Sequence, residues 1–244
     1  MRRRVAFVVV LVFASSLVRG AVADEYVPSK PTFRPALGWV CWPRRTVGDF
    51  AGDGHLEPAV VFDRSGPHRS CDELHPELRW HVAVLLGRGS RILRPLPCET
   101  PAFCRPAAGD LDGDGRAELA IETCCGAIVS EWHVYRLEGS RLPTPTVLPG
   151  TAAALDPGPL VLSYVSDAAT HDGFGCRTHP DGSRILLVWT GRLGRPGHWR
   201  FERTRLRSRD GTFRAIGVRR RRMEPRVGNR LPRGPRVEPC FVSA

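Results

Sequence analysis

The chain has 244 residues, with 36 Lys or Arg against 25 Asp or Glu, a formal net charge of +11, and eight cysteines. Its 25 glycines and 22 prolines punctuate the sequence throughout, and no helical period is sustained, which excludes a helical bundle and argues for an all-β protein. After the N-terminal segment no apolar run approaches the length of a membrane span.

Residues 1–23 read as an export signal. Arg2, Arg3 and Arg4 form a basic start, Val5 to Val18 an apolar stretch, and Ala21-Val22-Ala23 a small-residue cleavage site before Asp24. No cysteine stands at that site to carry a lipid, so the expectation is a secreted, extracellular protein. The cysteines agree with export: Cys41, Cys71, Cys98, Cys104, Cys124, Cys125, Cys176 and Cys240 all follow the cleavage site, an even number in a compartment where disulfides persist. Eight cysteines allow 105 connectivities. Cys98 and Cys104 close a short loop most easily, and the adjacent Cys124 and Cys125 suit separate partners better than each other. A zinc site is disfavoured because no pair of C-x-x-C knuckles is present.

The first acidic loop is Asp49-Phe50-Ala51-Gly52-Asp53-Gly54-His55-Leu56-Glu57. After it come an apolar strand, an insertion over Asp63 to Arg79, and an aromatic strand opening on Trp80-His81-Val82. The insertion holds His68, Cys71, Asp72 and His75, a spacing open to a metal cluster but more economically a disulfide-tied loop. A gapless second copy of the acidic loop follows at a displacement of 61 positions: Asp110-Leu111-Asp112-Gly113-Asp114-Gly115-Arg116-Ala117-Glu118. Four carboxylates at positions 1, 3, 5 and 9 repel one another unless a cation neutralises them, and Ca2+ prefers such hard oxygen ligands. The glycines let the chain curl so that several oxygens aim at one point. This is not an EF-hand, because the twelfth position is the apolar Ile121. The competing reading is a solvated Asp/Gly turn without metal. In the first copy Ala51 replaces a carboxylate, so that loop is expected to bind calcium more weakly or not at all.

The second loop is also followed by an aromatic strand, Trp132-His133-Val134, so loop, strand, aromatic strand and turn recur in one order. His81 and His133 fall on the face opposite the tryptophans and are read as structural strand positions rather than ligands or bases. A third, degenerate unit begins near Leu155 to Gly158, with strands at Leu160 to Val165, Ile185 to Thr190, Trp199 to Leu206 and Phe213 to Val218. Asp210-Gly211 is the hairpin turn between the last two. From Val218 to Ala244 the chain holds eight Arg against Glu224 and Glu238, which marks an Arg-rich C-terminal tail. The division is therefore a signal at 1–23, a repeat domain at 24–217 and the tail at 218–244.

The two loops, each opening on Gly-Asp-hydrophobic and closing on Glu before an apolar strand, resemble the FG-GAP or VCBS repeat of integrin-α-like β-propellers. That resemblance is specific over Asp110 to Ile121, moderate over Asp49 to Val61 and weak after about residue 150. It implies a disulfide-stabilised all-β fold of propeller-like blades, about three to four for this length, either a small or incomplete propeller or a flatter β-assembly. It also implies calcium ligands at Asp110, Asp112, Asp114, the Arg116 carbonyl and Glu118, and in the first copy at Asp49, Asp53, the His55 carbonyl and Glu57.

Three functions are weighed. The first is a secreted, calcium-binding, non-enzymatic binding or structural module whose partner is a protein or a glycan. The second is an exported hydrolase on the same scaffold, against which stands the lack of H-E-x-x-H and G-x-S-x-G motifs. The third is binding of an anionic polymer or the cell envelope through Arg219, Arg220, Arg221 and Arg222. No aromatics interleave those arginines in the sequence, which favours a solvated tail.

Overall fold

The structure is a computed structural model that describes residues 32–64, 71, 79–87, 91–98, 104–125, 129–149, 155–167, 169–180, 183–194, 198–223 and 238–241. The export signal, the His68, Asp72 and His75 of the insertion, and residues 224–237 lie outside them, as do the side chains of Cys124 and Cys125.

The described residues form strands joined by turns, with no α-helix. In chain order these are β1 Thr32–Arg34, β2 Gly38–Gly48, β3 Glu57–Arg64, β4 Trp80–Leu85, β5 Arg91–Pro95, β6 Arg105–Gly109, β7 Glu118–Cys125, β8 Val129–Tyr135, β9 Thr146–Val147 and β10 Gly158–Pro159. They continue with β11 Val161–Ser166, β12 Thr170–Thr178, β13 Arg184–Leu193, β14 Trp199–Arg209 and β15 Thr212–Met223. The first five make one sheet in simple sequence order. The other ten make a second, ordered β10-β9-β15-β14-β13-β12-β11-β8-β7-β6, in which the β15–β9 pair is parallel. Neither sheet closes into a barrel or propeller among the described residues. The second and third expected units therefore run together, because β11 pairs with β8 and carries the second sheet on into β12–β15, while the first unit keeps a sheet of its own.

One core fills the space between the sheets. Ala59, Val61, Trp80, Val82 and Val84 of the first sheet pack with Ala108, Leu119, Ile121 and Tyr135 of β6–β8. This is the face of β4 opposite His81, with Trp80, Val82 and Val84 all at most 1% exposed. A second core joins Val134 of β8 to Leu162, Leu186, Val188, Leu206 and Phe213 of β11–β15. Strand β13 is apolar on both faces, with Ile185, Leu186, Leu187, Val188 and Trp189 all buried, as a central strand requires.

The Asp210-Gly211 turn forms as expected, with φ of 53° and 72°, the left-handed pair that suits a two-residue hairpin. It joins β14 and β15, which run further than the sequence suggests. The expected boundary at Val218 is accordingly corrected: Arg219–Arg222 are strand residues paired with Arg203–Arg200, and not the start of a tail. Their backbone is held by the β14 ladder, which is indifferent to how polar the side chains are. Strand β12 was not foreseen, since its Gly173 and Gly175 weaken any strand signal.

Among the described residues, disulfides join Cys41 to Cys71, Cys98 to Cys104, and Cys176 to Cys240. The first ties the insertion to β2, and the second closes the short loop expected from spacing. The third anchors the chain's end against β12, where Glu238 and Cys176 exchange backbone hydrogen bonds of 3.0 and 2.9 Å. Phe241 then stacks on Trp132, ring centroids 6.0 Å apart. These bonds place the chain in an oxidising environment. Among the described residues no helix is long and apolar enough to cross a membrane.

Candidate metal centre

Each acidic loop bridges two antiparallel strands at the same register: Gly48 pairs with Glu57 across β2 and β3, and Gly109 with Glu118 across β6 and β7. The local sequence explains the shape. The leading Asp accepts backbone N–H bonds from the glycines, so that the chain wraps around its carboxylate. Asp49 Oδ1 accepts from Gly52 at 2.6 Å and Oδ2 from Gly54 at 2.9 Å. Asp110 does the same with Gly113 at 2.6 Å and Gly115 at 3.1 Å. All four glycines have positive φ, between 74° and 89°, a conformation in which a Cβ is strained.

The closing glutamates match as well. Glu57 Oε2 accepts from the Phe50 amide at 2.8 Å, and Glu118 Oε2 from the Leu111 amide at 2.7 Å. Phe50 and Leu111 themselves point inward and plug the first and second cores respectively. The His55 amide donates to Asp53 and the Arg116 amide to Asp114, both at 2.9 Å. The loops touch each other: the Ala117 amide donates to the Asp49 carbonyl at 2.8 Å.

This geometry brings together Asp49, Asp53 and Glu57 in one group and Asp110, Asp112 and Glu118 in another, each with carboxylate oxygens close enough to hold a metal ion. Asp114 stands outside the second group and pairs with Arg136. Arg136 Nη1 lies 2.7 Å from Asp112 Oδ2 and 3.7 Å from Glu118 Oε1, and Nη2 pairs with Asp114 Oδ2. Sequence reasoning missed Arg136, which sits just past the aromatic strand β8 with no basic counterpart in the first copy, where Val84 follows Trp80 by the same interval. Arg136 offsets the carboxylate that the second loop has and the first lacks at Ala51. The two loops are thus closer in charge than their sequences indicate.

The electrostatics of the second loop are those of a crowded, partly buried acid cluster. Burial, followed by the charge of Asp112, pushes the Glu118 carboxyl up to about 8. Burial and the neighbouring Asp114 also raise Asp112, against the pull of Arg136. Burial opposes the Arg136 charge, but Asp112, Asp114 and Glu118 together outweigh it and raise its pKa. A second guanidinium, Arg184, donates to the carbonyl oxygens of Asp110 and Pro239 and so ties the loop to the anchored C-terminal segment.

No protein-family model, curated protein or solved structure matches this chain. The remaining predicted positions sit in the strands. His81 stacks on Phe62 with centroids 6.1 Å apart and holds the Arg79 carbonyl at 2.6 Å through Nδ1. His133 Nε2 lies 2.8 Å from Glu131 Oε1.

Proposed function

We propose that this chain is a secreted, calcium-stabilised, non-enzymatic binding module built from FG-GAP/VCBS-like units. The observation that carries the reading is that two loops 61 residues apart share one hydrogen-bond cradle, leading Asp around two glycines and closing Glu on the amide of the core-plugging residue. Shared backbone geometry of this kind is what a duplicated cation loop requires. The donor set fits calcium: hard carboxylate oxygens, with Glu118 buried at 1% exposure and still costly to ionise with Arg136 3.7 Å away. Asp110, Asp112, Asp114, the Arg116 carbonyl and Glu118 would hold one ion, and Asp49, Asp53, the His55 carbonyl and Glu57 the other. The ion supplies charge neutralisation at a strand connection, and the protein's own residues keep that connection in register for the sheets. The partner surface is a protein or glycan site elsewhere on the sheets.

Thermal unfolding with calcium and with chelator tests this. A cation at a hundredfold excess over its dissociation constant adds about 2.7 kcal/mol, which for a chain of this size raises the midpoint by roughly 5–10 °C. Asp112→Ala and Asp114→Ala should each lose part of that shift. An unmoved wild-type midpoint on chelation would overturn the calcium assignment.

A further inference from the structure

Strand alternation sorts the arginines of β14 and β15 onto two faces. Across this pair Arg203 stands opposite Arg219, Arg205 opposite Gly217 and Phe201 opposite Arg221, while Glu202 stands opposite Arg220 and Arg200 opposite Arg222. The consecutive run Arg219–Arg222 is therefore split. Arg220 pairs with Glu202, Nε to Oε2 2.8 Å. Arg219 and Arg221 join Arg203 and Arg205 on the other face, and Arg177 reaches the same place from β12 through the register of β13.

There Arg177, Arg203, Arg205 and Arg219, together with His179, line an open cleft of about 420 Å³ over Ile185 and Leu187, with Arg221 further along the same face. Like charges directly opposite one another destabilise a strand pair. Among the described residues, none of Arg177, Arg203, Arg205, Arg219 or Arg221 forms an ion pair with a carboxylate. Burial and the four neighbouring arginines depress the pKa of Arg203, the signature of cations held together without an anion between them. Gly217 lets the Arg205 guanidinium lie close over β15, where a Cβ would stand 2.8 Å from it.

We propose that this cleft binds the sulfate groups of an acidic glycan, each held by paired guanidinium forks. Guanidinium presents planar, bidentate donors to such oxyanions and loses little hydration in doing so. The sheet spaces its arginines about 5 Å apart across strands and about 7 Å along them. That two-dimensional grid suits substituents fanning out around a sugar chain better than phosphates in single file. Of the neighbouring rings, Trp189 at 7% and Trp199 at 5% exposure are folded into the sheet, and the half-buried Phe201 is already stacked on Trp199, which disfavours a platform for nucleobases. The disulfides place the protein where acidic glycans occur. The inference rests on the binding-module reading and is independent of calcium.

The test measures binding of a sulfated oligosaccharide by titration calorimetry at several salt concentrations, in calcium and in chelator. It is made for the wild type, Arg203→Gln/Arg219→Gln and Arg220→Gln/Arg222→Gln. The two double variants remove the same charge from the same hairpin but from opposite faces. The first should lose about tenfold or more in affinity and about two in salt slope, and the second should bind almost as the wild type does. Arg203→Gln/Arg219→Gln should also unfold at no lower temperature than wild type, since it relieves repulsion, which separates lost binding from lost folding. Equal losses in both doubles would overturn the cleft, and so would full binding by Arg203→Gln/Arg219→Gln. Tighter binding of a single-stranded oligonucleotide of equal charge would overturn the glycan, and inorganic sulfate competing at the same charge concentration would reduce the site to a free-anion site. Binding that survives chelator supports the cleft even if the calcium assignment fails.

Discussion

At the scale of single residues the chemistry turns on Glu118 and Arg136. Arg136 supplies a cation that reaches Asp112, Asp114 and Glu118 together, so the second loop is partly neutralised by its own chain. Glu118 still keeps its proton well above the ordinary carboxylate range, at a pKa of about 8 against 4.5 for an unperturbed glutamate. The sign of the linked stability follows. Between those values the unfolded chain has released the proton and the folded chain retains it, so the folded state binds more protons and stability falls as pH rises. In chelator, the thermal midpoint should therefore decline as pH goes from about 5 towards 8. Calcium, which needs the ionised carboxylate, should stabilise most at the upper end of that window. Parallel midpoint-versus-pH curves with and without calcium would contradict this. The acids of both loops were legible in the sequence because position and residue type alone define them. Arg136 was not, since what places it over the loop is the β7–β8 pairing.

Among the elements, β6 shows how a loop and a distant segment are locked to one another. Gly109 is the last residue of β6, and a Cβ there would fall on the carbonyl of Cys240, with Cys240 C and Phe241 Cα close behind. These are backbone atoms with nowhere to yield. Gly109→Ala should cost about 2 kcal/mol in a denaturant-unfolding experiment. Gly54, at the exposed tip of the first loop, meets nothing within 4 Å, so a loss at Gly54→Ala comes only from its positive φ of 84°. In the sequence Gly48 and Gly109 read alike, as the residue before a leading Asp. Only packing distinguishes them: Gly48 abuts the Ala117 and Ala108 side chains, and Gly109 abuts the C-terminal backbone.

For the whole molecule, the decisive link is the one that returns the chain's end to its middle. Cys176–Cys240 spans 64 residues, and a cross-link of that length removes about 4 kcal/mol of unfolded-chain entropy in the loop-closure model. The double substitution Cys176→Ser/Cys240→Ser should lower the urea midpoint by an amount corresponding to about 3 to 4 kcal/mol and expose the peptide around Glu238 to protease. An unchanged midpoint would show that the packing of Phe241 on Trp132 and Phe174 suffices by itself.

The sequence by itself determined the all-β class, the acidic loops and their common register, the aromatic strands, the Asp210-Gly211 hairpin and the short Cys98–Cys104 bridge. Each of these is local: it depends on side-chain period, turn chemistry or spacing along one stretch of chain. Only the tertiary structure decided that the second and third expected units merge into one ten-stranded sheet, that Arg136 enters the second loop, and that four consecutive arginines divide between two faces. These follow from which strand pairs with which. Pairing partners are chosen by burial of apolar faces across long sequence separations, and the residues that respond to them, such as Arg203 and Arg219, carry no mark of each other in the linear chain.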